Sequence, residues 1–272
     1  MPNEIEELTI DVGGVRTFCR RVPGEGPPTV FVHGNPTHSE DWLPFLSRIE
    51  GPAVAPDLPG WGRSERPRSF DYSMNGLAGF LERFLERLGI EEHTLAVHDW
   101  GVVGLIAARR HPQRVARLAA INVVPLMEGY RWHWAARIWR TRGAGELFNL
   151  AATRSGLALG LRQARADRKP MPREFVDMIW SGYRRGTGRP VLELYRSADP
   201  RLLAEAGAGL EALDCPALVV WGERDPFLPA AFGRRYAERL PDAEYVGIAD
   251  AGHWPWLERP EAIDRILTFL TS

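Results

Sequence analysis

Thr94-Leu95-Ala96-Val97-His98-Asp99-Trp100-Gly101-Val102-Val103-Gly104 passes from an apolar run into a helical pattern with almost no connecting residues. The run Thr94–Val97 suits a strand covered on both faces. A strand that turns straight into a helix bends sharply, so small residues are needed two places either side of the centre. Those places hold Val97 and Gly101, and Val97 is larger than the glycine usual there. The bend exposes the central side chain, Asp99, above the sheet and near a helix N-terminus, which favours negative charge. Taken alone, an Asp before a helix reads as an N-cap. The rest of the chain reverses that reading.

Outward from this turn, short apolar runs alternate with helical patterns, the signature of a mostly parallel sheet. Leu8 to Val22 reads as a hairpin turning at Gly13-Gly14. Strands are predicted at 29–32, 53–55, 94–97, 118–123, 217–220 and 245–248. Leu77, Phe80, Leu81, Phe84, Leu85 and Leu88 mark one face of an amphipathic helix with Ser73 as N-cap. A closing helix follows Pro260. Residues from about 127 to 210 hold no convincing strand and read as a helical insertion. The predicted division is a core of 1–126 with 211–272, and a cap of 127–210.

The 272 residues suit one large domain with an insertion. Lys+Arg and Asp+Glu number 34 and 35, so no basic balance points to nucleic acid or an anionic membrane. Cys19 and Cys215 form neither a disulfide framework nor a metal-binding spacing. Neither a signal-peptide pattern nor an apolar run of the roughly 20 residues a bilayer needs is present. A cytoplasmic protein without metal or cofactor is expected, as a monomer or homodimer.

Two further loops complete a pattern. Val220-Trp221-Gly222-Glu223-Arg224-Asp225 follows one late strand, and Ala249-Asp250-Ala251-Gly252-His253-Trp254 follows the next. A carboxylate and a histidine at successive strand ends, after the sharp turn, stand in the order nucleophile, acid, histidine. His33-Gly34-Asn35-Pro36 would supply a backbone N–H facing Asp99, with His33 itself structural.

These residues resemble the Asp-nucleophile branch of the α/β-hydrolase superfamily, the epoxide hydrolases and haloalkane dehalogenases. The resemblance rests on His-Gly-x-Pro (33–36), Gly-x-small-x-Ser (60–64), His-Asp-Trp-Gly (98–101), Gly-Glu-x-Asp (222–225) and Gly-His-Trp (252–254). It implies an α/β-hydrolase fold with a mostly parallel eight-stranded sheet and a helical cap after the sixth strand. It also makes Asp99 the nucleophile, His253 the base and Asp225 its partner.

An aspartate nucleophile narrows the chemistry. A carboxylate with an ordinary pKa of about 4 is ionised at neutral pH. Attack on a carbonyl would give an easily reversed anhydride, whereas attack on saturated carbon gives an alkyl ester. His253 would then activate water against the Asp99 carbonyl carbon, with the oxyanion held by the N–H groups of Asn35 and Trp100. The expected partners are a small apolar organic substrate and water. A non-catalytic ligand receptor on the same fold is the rival class; the complete triad argues against it.

The leaving group divides the branch. Halide needs only weak N–H donors, and Asn35 with Trp100 resembles such a pair. An epoxide oxygen needs an acid, and Tyr195 in Leu194-Tyr195-Arg196-Ser197 resembles a ring-opening tyrosine. A second cap tyrosine is missing near Phe148-Asn149, where Tyr130 or Tyr183 would have to replace it. The residues favour the epoxide, with haloalkane dehalogenation as the alternative. Glu128 reads as a surface or hinge residue. Trp132, Trp134, Trp139 and Trp180 read mainly as cap–core filling, and Arg131, Arg137, Arg140 and Arg142 as a solvated helix face.

Overall fold

The computed structural model describes residues 2–272. Eight strands form one sheet: β1 (Glu6–Val12), β2 (Val15–Val22), β3 (Thr29–Val32), β4 (Ala53–Pro56), β5 (His93–Asp99), β6 (Val115–Val123), β7 (Ala217–Gly222) and β8 (Ala243–Ile248). Their spatial order is β1-β2-β4-β3-β5-β6-β7-β8. Only β2 runs antiparallel to its neighbours; the other pairings are parallel. The hairpin turns at Gly13 and Gly14, both at positive φ, as its two-residue loop requires.

Ten helices of seven residues or more accompany the sheet among the described residues: α1 (Met74–Arg87), α2 (Val103–Arg110), α3 (Trp134–Arg140), α4 (Ala144–Leu150), α5 (Arg154–Leu161), α6 (Arg173–Arg184), α7 (Gly188–Ser197), α8 (Pro200–Ala206), α9 (Ala230–Arg239) and α10 (Glu261–Thr271). Helix α1 begins as its sequence predicts, with Ser73 Oγ accepting the Gly76 N–H at 3.1 Å. Six helices, α3 to α8, lie between β6 and β7, which is the helical insertion expected after the sixth strand.

Alternation along the central strands splits the core into two layers. Val30, Val32, Leu95 and Val97 pack on one face with α1 and α2. Phe31 and Ala96 point to the other, where Trp42, Phe45, Trp256 and α10 lie. The middle strands are thus packed on both faces, and Asp99 stands at the C-terminal end of one of them.

Candidate active site

Asp99 stands at the end of β5 with φ +50 and ψ −117, outside the ordinary regions for a side-chain-bearing residue. The pairing of β5 with β6 shifts register at this point, so the chain leaves the sheet abruptly. Its neighbours make the turn possible by having no side chains. A Cβ on Gly34 would lie 2.4 Å from Asp99 Cβ, and one on Gly101 would lie 2.1 Å from the Val32 carbonyl oxygen. Gly104 explains the bulky Val97: a Cβ there would come within 2.9 Å of Val97 Cγ1, so the space usually left by a small residue before the turn comes from the helix instead.

One oxygen of Asp99, Oδ2, accepts the Asn35 backbone N–H at 2.8 Å. The Trp100 backbone N–H also acts on this carboxyl. Burial lifts the Asp99 pKa from 3.8 to about 6, and the His253 charge with the Asn35 and Trp100 N–H groups limits the rise. The other oxygen, Oδ1, faces His253 Nε2 at 3.8 Å, too far for a direct hydrogen bond.

His253 Nδ1 donates to Asp225 Oδ2 at 2.7 Å, which leaves Nε2 on the Asp99 side. Asp225 Oδ1 accepts the backbone N–H groups of Phe227 and Leu228 at 2.8 and 3.1 Å. Asn122, at the end of β6 with φ +39, donates to Asp225 Oδ2 at 2.7 Å and accepts the Gly222 N–H at 2.9 Å. Sequence reasoning missed Asn122. Its signal was a lone amide inside the apolar run of β6.

Burial alone would lower the His253 pKa, but Asp225, Asp99 and Asp41 together raise it above 6.5. Asp41, a second residue the sequence did not single out, is itself pushed up to about 7 by burial and accepts Trp254 Nε1 at 3.1 Å. The His253 main chain is held from two sides. Its carbonyl accepts His98 Nε2–H at 2.9 Å, and its N–H donates to Ala164 in the insertion at 2.8 Å. Glu258 joins the same two segments, accepting Gly252 N–H at 2.7 Å and Ala166 N–H at 2.9 Å.

Beside this array are two buried donors without a partner, Asn35 Nδ2 and Trp100 Nε1. Trp61 Nε1 donates to Asn35 Oδ1 at 3.2 Å, which fixes the amide so that its nitrogen is the free end. Tyr195 packs edge-on against Trp100, with ring centroids 5.1 Å apart. Burial holds its pKa well above 10, and the Trp100 and Asn35 side chains pull against that rise. The hydroxyl therefore lies near both donors.

A cavity of about 340 Å³ opens over these groups, lined by Asn35, Asp99, Tyr195 and His253 at one end. Tyr130 and Tyr183 both line it, but the Tyr130 hydroxyl donates to the Phe227 carbonyl at 3.3 Å. All four tryptophans read as filling, Trp132, Trp134, Trp139 and Trp180, contribute to the cavity wall. His133 also lines it; its Nδ1 accepts the Ala136 N–H at the start of α3, and burial lowers its pKa to about 4.

The remaining sequence expectations fall out simply. His33 is structural: Nε2 accepts the Leu58 N–H at 2.9 Å and Nδ1 donates to the Gly34 carbonyl at 2.8 Å. Glu128 is exposed, as are Arg131, Arg137 and Arg142. Arg140 departs from the solvated-face reading. Its guanidinium donates to the carbonyls of Tyr195, at 2.5 Å, and Ala198. It thereby satisfies carbonyls that the end of α7 would otherwise leave unpaired.

The family model described as the alpha/beta hydrolase fold matches residues 27–260, and the chain belongs to that family. Within it, the chain falls in the haloalkane dehalogenase and epoxide hydrolase branch. A haloalkane dehalogenase of Mycobacterium marinum is 32% identical over 91% of this chain and 86% of its own. A cis-3-alkyl-4-alkyloxetan-2-one decarboxylase of Shewanella oneidensis is 28% identical over 91% of this chain and 81% of its own. The epoxide hydrolase CorEH superimposes with a TM-score of 0.79 over 98% of each chain at 22% identity, a likeness of fold alone.

Proposed function

We propose that the protein is a haloalkane dehalogenase. One observation carries this reading: two buried N–H donors, Asn35 Nδ2 and Trp100 Nε1, which have no well-aligned protein acceptor and only the Tyr195 hydroxyl near them, belong to the residues whose backbones hold Asp99. A buried donor without an acceptor is costly unless a ligand completes it. A departing halide is such a ligand, large, anionic and in no need of a proton. The relative at 32% identity supports the same choice over the epoxide favoured by the sequence.

In this reading Asp99 Oδ1 attacks the carbon bearing the halogen. The carbon–halogen bond breaks with its electron pair, and the halide is received by Asn35 and Trp100. The resulting alkyl ester is cleaved by water. His253 Nε2 takes a proton from that water as its oxygen attacks the Asp99 carbonyl carbon. The developing oxyanion is the former Oδ2, already bonded to the Asn35 N–H. Its collapse releases the alcohol, which takes a proton from His253, and restores the carboxyl group. Asp225 fixes the imidazole tautomer throughout.

Epoxide opening is the second reading, and Tyr195 favours it. Its hydroxyl stands near the same donors and keeps its proton to high pH. Intact-mass measurement of His253→Ala separates the two. A gain of an alkyl group from a bromoalkane, with free bromide, supports dehalogenation. A gain equal to a whole epoxide, abolished by Tyr195→Phe, supports ring opening and overturns the first reading. A cis-dialkyl oxetan-2-one in the same panel tests the activity named for the Shewanella relative.

A further inference from the structure

We infer that the natural substrate carries a long unbranched hydrocarbon chain, which runs from Asp99 along the glycine face of α5 to the cavity rim beside the packed pair Trp134 and Phe148. This rests on the reading that Asp99 is the reacting end. The cavity does not stop at the catalytic array. It continues past Trp139 to Gly156 and Gly160 and reaches Trp134 and Phe148, which are 47% and 37% exposed. A pocket whose lining reaches solvent-exposed residues has a mouth, and Trp134 and Phe148 share its rim with the exposed Ala151, Thr153 and Gly156.

The wall along this arm is shaped by absent side chains. Gly156 and Gly160 are four residues apart and so share one face of α5, where both line the cavity. Glycine is among the poorest helix formers, so two of them in an eight-residue helix answer a need for room. A Cβ on Gly160 would meet nothing within 4 Å. The position faces open space.

Most polar side chains of this stretch are engaged by the protein; the Tyr183 hydroxyl and the Trp180 indole are the exceptions in its wall. Trp139 Nε1 donates to Asn149 Oδ1 at 3.0 Å, and Asn149 Nδ2 to the Gly188 carbonyl at 3.0 Å. Thr153 Oγ1 caps α5 by accepting the Gly156 N–H at 3.0 Å, and Trp134 Nε1 donates to Gln163 Oε1 at 3.1 Å. Every one of these polar side chains is committed to the protein. The unpartnered donors Asn35 Nδ2 and Trp100 Nε1 lie at the Asp99 end. A substrate matched to this arrangement has its reacting polar atom at one end and a mainly apolar chain beyond it.

Gly160→Leu fills the arm while improving helix propensity, so the variant should fold. The wild type should turn over 1-bromooctane at least about tenfold more efficiently in kcat/KM than 1-bromopropane. Gly160→Leu should cut the octyl rate at least tenfold and leave the propyl rate within twofold. Equal loss on both substrates, or no loss on either, overturns the inference. A turnover-independent arm uses 1-octanol and 1-propanol as ligands, read by the change in tryptophan emission on binding. Tighter octanol binding that Gly160→Leu abolishes supports the chain-length inference even if no bromide is ever released, an outcome that would sink the dehalogenase reading alone. Octanol binding unchanged in the variant overturns the inference whatever the activity.

Discussion

Asn122 Nδ2 and His253 Nδ1 both donate to one oxygen, Asp225 Oδ2, each at 2.7 Å. The carboxylate is thus aimed at the imidazole by an amide from the neighbouring strand. Asn122→Ala should cost about 2 kcal/mol of stability, the worth of a hydrogen bond to a charged group, and lower kcat about tenfold by letting the imidazole drift. Urea unfolding and steady-state rates check both. Unchanged kcat would mean that the Phe227 and Leu228 N–H groups position Asp225 alone.

Asp99 is held above its ordinary pKa in the fold, from 3.8 to about 6, so the native state keeps this proton after the unfolded chain has lost it. Stability contributed by that proton is present below pH 4 and lost as pH climbs through 6. Asp99→Asn removes the loss. The variant should match the wild type at pH 4 and exceed it by about 3 kcal/mol at pH 8, while turnover falls at least a thousandfold. Denaturant unfolding at the two pH values measures the divergence.

Asp41 raises the His253 pKa and keeps Trp254 in place. Asp41→Asn retains an acceptor for the indole but removes the charge. If His253 is the base as proposed, the acid limb of kcat, where its imidazole becomes protonated, should move to lower pH. The plateau rate above pH 8 should change less than threefold. A pH–rate profile that does not move would show that Asp41 is protonated throughout the range.

Trp61 orients the Asn35 amide through its indole N–H. Trp61→Phe should let that amide turn, weakening halide binding and slowing alkylation of Asp99 about tenfold, a step read directly in the His253→Ala background. Epoxide opening through Tyr195 would be far less sensitive to the change.

Gly101→Ala places a methyl group 2.1 Å from the Val32 carbonyl oxygen, on backbone that cannot yield. The loss should exceed about 4 kcal/mol and leave little folded protein, visible as insoluble expression. Soluble, active G101A would mean that the turn at Asp99 is more adaptable than its packing.

The strands and the Asp99, Asp225 and His253 positions were legible because each is imposed locally. Apolar runs stop at polar loops, and glycines stand where chains approach. Asn122 and Asp41 were not legible, since their importance lies in partners 103 and 213 residues away. Arg140 read as solvated because a charge run looks the same whether its heads meet water or helix-end carbonyls. The sequence favoured the epoxide over the halide, whereas the named relatives are mostly haloalkane dehalogenases; Tyr195 and Asn35 each resemble one branch's signature, and the chain brings both to one cavity.

The Ala164 carbonyl that receives the His253 N–H belongs to the insertion. The insertion and the His253 main chain are therefore not separable parts. A chimaera that borrows another relative's lid to change substrate range must also bring an acceptor to that spot, or it will trade a new preference for a slackened imidazole. Transplants that spare residues 162–167 should keep their hydrolytic step, and those that replace them should stall as alkylated protein.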